Sequence, residues 1–113
     1  MNQAKEKKWL GMVTEYGCVV TGRSDLQRHH VVGRSYKHNK VHIGRVFVLP
    51  LCVDLHDVHS NNPLNVTHFR HRFTDEYGMQ RDLFKKMTDQ MIEDGYILPF
   101  DLSLIDVIMD TKY

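Results

Sequence analysis

Several features that define large protein classes are scarce in this sequence. Two cysteines in 113 residues are too few for a disulfide framework, so we expect reduced thiols and a cytoplasmic location. The longest apolar run, residues 46–53, contains Pro50 and is far shorter than the roughly 20 residues that a membrane-spanning helix needs. The first residues are polar and lysine-bearing, without the apolar stretch of a secretory signal. We therefore expect neither a membrane protein nor a disulfide-stabilised secreted scaffold.

A strong net charge is also missing, but the total of +1 hides an asymmetry. Residues 1–45 carry nine Lys or Arg against three Asp or Glu, a balance of +6, and residues 46–113 carry six against eleven, a balance of −5. A basic first half suits a polyanionic partner such as nucleic acid. The alternative is an ordinary solvated surface with a chance asymmetry.

No repeat, low-complexity tract or linker divides the chain, so we predict one domain over residues 1–113. The pattern predicts a helix over 4–16, a tight turn over 18–22, a strand over Leu26–Val32 and a second strand over Val46–Leu49. Pro50 should end that second strand because proline has no N–H to donate to a sheet.

Helices should follow the second strand. We predict a short helix over Leu51–Ser60, a helix that begins at Asn62-Pro63 and ends at Gly78, one over 79–94, and a final one capped by Asp101. The predicted fold class is α+β: residues 1–17 form an N-terminal helix, 18–60 a central β-hairpin with a short helix, and 61–113 additional helices around it.

Eight histidines are many for this length, and four are placed suggestively. His29 and His30 end the first strand, while His56 and His59 lie three apart on the predicted short helix. A divalent cation could be held by one strand histidine and the helical pair, because neutral imidazole is a good metal ligand. Adjacent strand residues point to opposite faces, so His29 and His30 should have different roles. Surface or hydrogen-bonded core histidines are the alternative.

At these residues the sequence resembles the HNH endonucleases, the ββα-metal or His-Me finger group. The likeness runs from Cys18-Val-Val-Thr-Gly22 through Leu26-Gln-Arg-His-His-Val-Val32 to Phe47-Val-Leu-Pro-Leu-Cys52-Val-Asp-Leu-His56, and reaches about Tyr77. The Phe-Val-Leu-Pro-Leu-Cys string is most similar to the phage recombination-enhancement, RecA-dependent nuclease branch. The resemblance implies a ββα-metal centre, with His29 and His56 as metal ligands and His30 as the general base. His59 is the candidate for the remaining ligand, although the group more often uses the next position, here Ser60.

Two departures from the group pattern affect the expectations. Thr21 and Leu55 stand where many members have the second cysteine of each Cys-x-x-Cys pair, so we expect no structural four-Cys zinc. Cys18 and Cys52 should instead pack close together as small apolar groups. The Asn that orients the base is replaced by Phe47, which leaves Asn39 or a backbone carbonyl to orient His30.

The resemblance implies a metal-dependent DNA endonuclease that uses Mg²⁺, Mn²⁺ or Zn²⁺ and leaves a 5′-phosphate and a 3′-hydroxyl. The expected setting is phage recombination or replication, in the host cytoplasm, with DNA and a recombinase filament as partners; the oligomeric state is left open. The alternative is an inactive module of the same fold that binds nucleic acid or a recombinase. Five cations near the predicted site would contact phosphates: Arg28, Arg34, Lys37, Lys40 and Arg45.

Overall fold

The first helix, α1 (Gln3–Tyr16), matches its prediction to within one residue. The Asn2 side chain caps it by accepting a hydrogen bond from the Lys5 N–H at 2.8 Å, and Gly17 ends it with a φ of 85°. Trp9 and Val13 are fully buried on one face, as their spacing predicts. The computed structural model describes all residues 1–113.

The centre of the fold is an antiparallel hairpin of β1 (Leu26–His30) and β4 (Val48–Cys52), in which His29 lies opposite Leu49. The segment between them forms a second hairpin, β2 (Lys37–His38) with β3 (Val41–His42), which we did not predict. Its turn residues, Asn39 and Lys40, have φ values of 49° and 67°. These strands are two residues long, too short to show an alternating apolar pattern.

The prediction that Pro50 ends the second strand is wrong, because Pro50 is the central residue of β4. It lies opposite Arg28, and its carbonyl accepts a hydrogen bond at 3.0 Å from the N–H of Val19, in the turn outside the hairpin. The main chain of Pro50 therefore faces away from β1. A proline at this position removes no hydrogen bond from the hairpin.

The helices that follow are shorter than predicted. Helix α2 spans only Val53–His56, and α3 spans Arg70–Tyr77 and so begins well after Pro63. Side chains account for both differences: Asp57 accepts a hydrogen bond from the His59 N–H, and Asn62 accepts one from the Leu64 N–H. Such turns compete with helix formation because they satisfy the same backbone donors locally.

The last two helices, α4 (Gln80–Glu93) and α5 (Ser103–Met109), agree with the predictions, and Asp101 accepts a hydrogen bond from the Ser103 N–H at 2.9 Å. All five helices and β4 contribute to one core of 20 buried apolar residues. Five helices with two small antiparallel sheets confirm the α+β fold class. None of the helices has both the length and the apolar character needed to cross a bilayer.

Candidate functional site

The hairpin and α2 bring two of the predicted metal ligands together. His29, the last but one residue of β1, lies on the side that faces α2 and α4, and its ring centroid lies 4.8 Å from that of His56, the last residue of α2. The Nε2 atom of His29 is 2.7 Å from Oε1 of Gln80, at the start of α4. Residues far apart in the sequence therefore form a single imidazole pair.

A glutamine determines the tautomer of His56. Gln27 lies on the same face of β1 as His29, and its Nε2 donates a hydrogen bond to Asp57 Oδ2 at 2.7 Å. A carboxylate only accepts, so the other amide atom of Gln27, Oε1, must be the one that faces His56 Nδ1 at 2.6 Å. His56 therefore carries its proton on Nδ1, and its Nε2 keeps a free lone pair.

A second glutamine, Gln80, faces His29 with its amide oxygen. Gln80 Oε1 accepts from His29 Nε2, which leaves Nδ1 of His29 with the lone pair. Each imidazole thus donates one N–H to an amide oxygen and keeps the other nitrogen unprotonated. This is the arrangement by which neighbouring groups orient a histidine for metal binding.

Electrostatics keeps both rings neutral. Burial, and then the neighbouring His56, lower the pKa of His29 to about 4. Burial also lowers the pKa of His56, against the opposing effect of the Asp57 carboxylate. At pH 7 both side chains are therefore in the uncharged form that can coordinate a cation.

The candidate base, His30, points to the other face of β1, toward α1. It lines an open cleft of about 740 Å³ together with His56, Arg28 and the α1 residues Leu10 and Thr14. Its Nε2 is buried without a hydrogen-bond partner. Burial lowers the pKa of His30, Glu6 opposes that effect, and Arg28 and Arg34 reinforce it, so this ring is neutral as well.

His59 does not join this group, and its predicted position on a shared helix face is wrong. Helix α2 ends at His56, and His59 is exposed beyond it, in a separate cleft that Arg23 and Asp54 also line. No set of three or more His, Cys, Asp or Glu side chains converges anywhere in the chain. The helical spacing that favoured His59 fails because the Asp57 turn breaks the helix between the two histidines.

Asn39 does not orient His30. It lies in the turn between β2 and β3, where its side-chain amide donates to Asp110 Oδ2 at 3.4 Å. Of the two groups considered for this role from the sequence, Asn39 is therefore excluded by its position.

Two of the five basic residues that were predicted to bind DNA form ion pairs within the protein. Arg34 donates two hydrogen bonds to the buried Glu6 carboxylate, at 2.7 and 3.0 Å, and Arg45 Nε lies 3.8 Å from it. The Arg34 hydrogen bond holds the pKa of Glu6 below its usual value. These two arginines tie the loop to α1, whereas Arg28, Lys37 and Lys40 are exposed and make no ion pair.

The two cysteines lie together, as predicted. The Cys52 N–H donates to Cys18 Sγ at 3.2 Å, and both side chains are buried and free. Burial raises the pKa of the Cys52 thiol to about 12. At neutral pH Cys52 therefore behaves as a small apolar group that joins the 18–22 turn to β4.

Sequence reasoning missed three residues of the site. Gln27 could have been found, because two-residue alternation places it beside His29 on β1. The third is Asn65, a fully buried residue whose side-chain amide donates to the carbonyls of Asp54 and Asp57 at the end of α2. Gln80 and Asn65 carried no signal, since nothing local indicates that a polar residue will be buried against a distant histidine or helix end.

One comparison with known proteins matches most of the chain. A family model described as "Protein of unknown function (DUF968)" matches residues 1–95. The chain belongs to the DUF968 family. No curated protein and no solved structure matches it. The family description carries no function, so the chemistry of the site has to be argued from its residues.

Proposed function

We propose that this DUF968 protein is a metal-dependent endonuclease that hydrolyses DNA phosphodiester bonds. One observation carries the proposal: the neutral rings of His29 and His56, from two different elements, lie 4.8 Å apart beside a cleft that a third neutral histidine, His30, also lines. Each ring donates one N–H to a glutamine oxygen and keeps a lone pair on its other nitrogen, which a cation could use.

The donor set fits a cation bound by two protein ligands. His29 Nδ1 and His56 Nε2 would hold a Mg²⁺, Mn²⁺ or Zn²⁺ ion, and water and phosphate oxygens would complete its coordination. A cation there supplies Lewis-acid stabilisation of the charge that develops during phosphodiester hydrolysis. Gln80 and Gln27 act by orienting the two rings.

His30 is the residue that moves a proton. Its lowered pKa keeps the ring neutral at pH 7 and it lines the open cleft, so it can accept a proton from the attacking water. The nearby Glu6 carboxylate stabilises the imidazolium that this transfer creates, since the carboxylate favours the charged ring. Because adjacent residues of a strand point to opposite faces, His30 takes the role of base on one face of β1 while His29 takes the role of ligand on the other.

The test compares variants in plasmid cleavage with Mg²⁺ or Mn²⁺, with and without EDTA. We expect His30→Ala to reduce cleavage by roughly 10²–10⁴-fold, the usual contribution of a general base, while it leaves Mn²⁺ binding unchanged in calorimetry. His56→Ala should weaken both. His42→Ala is the matched control, because His42 is exposed on β3 and makes no side-chain hydrogen bond. Cleavage by His30→Ala at the wild-type rate would refute the assigned role.

The alternative function is an inactive module that binds DNA or a recombinase. The observation that favours it is the set of exposed basic residues without ion pairs, Arg28, Lys37 and Lys40, which suit a polyanion whether or not a metal binds. Wild-type protein that binds DNA but cleaves none with any of the three metals would support this alternative. The resemblance to the recombination-enhancement branch supports a setting in phage recombination or replication, with a recombinase filament as a second partner.

A further inference from the structure

We infer that the DNA backbone is held by the exposed basic residues in the first turn of α3, Arg70, His71 and Arg72, together with Lys112, whose Nζ lies 5.8 Å from the centre of the Tyr113 ring that Arg70 also contacts. This group of residues is here called the α3 basic face. This inference rests on the proposed function and specifies where its substrate binds. We had expected the phosphate contacts on the loop between β1 and β4. All four residues of the α3 basic face are exposed.

The two arginines are positioned but unpaired. The Arg70 guanidinium lies 5.2 Å from the centre of the Tyr113 ring, and that of Arg72 lies 4.6 Å from the centre of the Phe69 ring. Neither makes an ion pair, although Glu76 stands four residues after Arg72 on the same helix. A guanidinium held against an aromatic ring keeps its N–H edge free, and that edge matches the geometry of a phosphate.

The α3 basic face is connected to the imidazole pair through the intervening residues Gln80 and Tyr113. The Gln80 side chain contacts His29, and its main-chain N–H donates to the main-chain oxygen of Tyr113 at 2.6 Å, whose ring lies against Arg70. On the other side, the Thr67 hydroxyl, just before α3, donates to the carbonyl of His56 at 2.5 Å. A phosphate backbone bound on this face would therefore run beside the His29–His56 pair.

The loop is the weaker candidate for the main contact. Arg34 and Arg45 are held by Glu6, and binding phosphate would require them to leave a buried carboxylate. Lys37 and Lys40 remain free, but they lie on the β2–β3 hairpin, where the adjoining His38 and Asn39 contact Asp110, an acidic residue. Arg28 on β1 is also exposed and unpaired, and it lines the cleft with His56. A DNA backbone that runs from the α3 basic face past the imidazole pair would therefore meet Arg28 as well.

The test is the affinity of the full chain for a fluorescent DNA duplex, measured by anisotropy in EDTA so that no cleavage occurs. We expect the double variant R70Q/R72Q to bind on the order of tenfold more weakly than wild type at 0.1 M salt. The slope of log affinity against log salt concentration should fall by about 2, one for each lost phosphate contact.

The matched control is K8Q/K86Q, which removes the same charge from two exposed lysines, one on α1 and one on α4, that make no ion pair. It should bind nearly as wild type does. Circular dichroism of both variants checks that they are folded. Equal binding by R70Q/R72Q and wild type would overturn the inference, and so would an equal loss in the control, because that would show a bulk charge effect.

The outcomes separate this inference from the proposed function. If R70Q/R72Q loses affinity but wild type cleaves no DNA with any metal, the DNA-binding surface stands and the endonuclease proposal fails. If wild type cleaves DNA and R70Q/R72Q binds as well as wild type, the endonuclease proposal stands and this inference fails. Wild type that does not bind DNA at all would overturn both.

Discussion

At the scale of single residues, two glutamines decide the chemistry of the site. Gln27 and Gln80 each accept an N–H from one histidine, and so determine which nitrogen of His56 and His29 keeps a lone pair. Neither glutamine would be a ligand or a base. Their effect is exerted through orientation and protonation state, which a list of metal-ligating residue types does not reveal.

The buried His29 predicts how stability depends on pH in the metal-free protein. Its pKa is about 4 in the folded chain and near 6.5 when unfolded, so between these values the unfolded state binds more protons. The free energy of unfolding should therefore fall as the pH drops from 6.5 to 4, by about 3 kcal/mol from this residue. Above pH 6.5 His29 is neutral in both the folded and the unfolded chain, so it no longer makes the free energy of unfolding depend on pH.

Urea unfolding in EDTA between pH 4 and pH 7.5 measures this dependence. The variant His29→Asn should lose stability less steeply than wild type as the pH falls, although His30 and His56 keep part of the slope. His42→Asn, at an exposed position, serves as the control. An unchanged slope in His29→Asn would show that His29 is not the main source of the pH dependence.

At the scale of elements, the short helix α2 depends on a residue outside it. The fully buried Asn65 donates from its side-chain amide to the carbonyls of Asp54 and Asp57, at 3.1 and 3.0 Å. Its carbonyl oxygen accepts from the N–H groups of Thr67 and His68. One side chain therefore pairs with main-chain carbonyl groups at the end of α2 and with main-chain N–H groups in the turn before α3. It thereby helps to hold His56 in place.

Replacement of Asn65 by alanine should destabilise the protein by about 2–4 kcal/mol, because the four hydrogen bonds of one fully buried side chain are lost at once. Chemical denaturation gives the free energy directly. Asn61→Ala is the control: Asn61 is exposed in the same loop, and its side chain makes no hydrogen bond, so its loss should change stability by less than about 0.5 kcal/mol. Similar effects of the two substitutions would argue against the bridging role of Asn65.

At the scale of the whole molecule, Trp9 joins elements from both ends of the chain. Its ring packs edge-on against Phe84 of α4 and against Phe100, with centroid separations of 6.2 and 4.9 Å. Its indole N–H donates to the carbonyl of Val46 at 3.0 Å. The first helix, the entry to β4 and the C-terminal helices thus share one core.

A shared core predicts one cooperative unfolding transition. Trp9 is the only tryptophan, so its fluorescence reports the centre of the molecule, while far-ultraviolet circular dichroism reports the helices. The two urea transitions should coincide, as they do for small single domains. Loss of the fluorescence signal at a lower urea concentration than the helical signal would indicate that α1 detaches separately.

The predictions were correct where local sequence signals form an element, and wrong where side-chain hydrogen bonds or contacts with distant residues decide it. Helix α1 and helix α4 were predicted correctly because their apolar spacing and end signals are local. The lengths of α2 and α3 were not, because Asp57, Asn62 and Asn65 use their side chains to make turns where the apolar spacing alone favours helix. Pro50 was misjudged because the direction in which its main chain faces depends on the strand beside it.

The sequence by itself determined the α+β class and the opposite directions of the two adjacent histidines of β1, since residue type and strand alternation are local properties. Only the tertiary structure decided that His56 lies against His29 while His59 lies in a separate cleft. It also decided that Arg34 and Arg45 form ion pairs with Glu6. These outcomes depend on which distant surfaces pack together, and burial, tautomer and ion pairing are set by that packing.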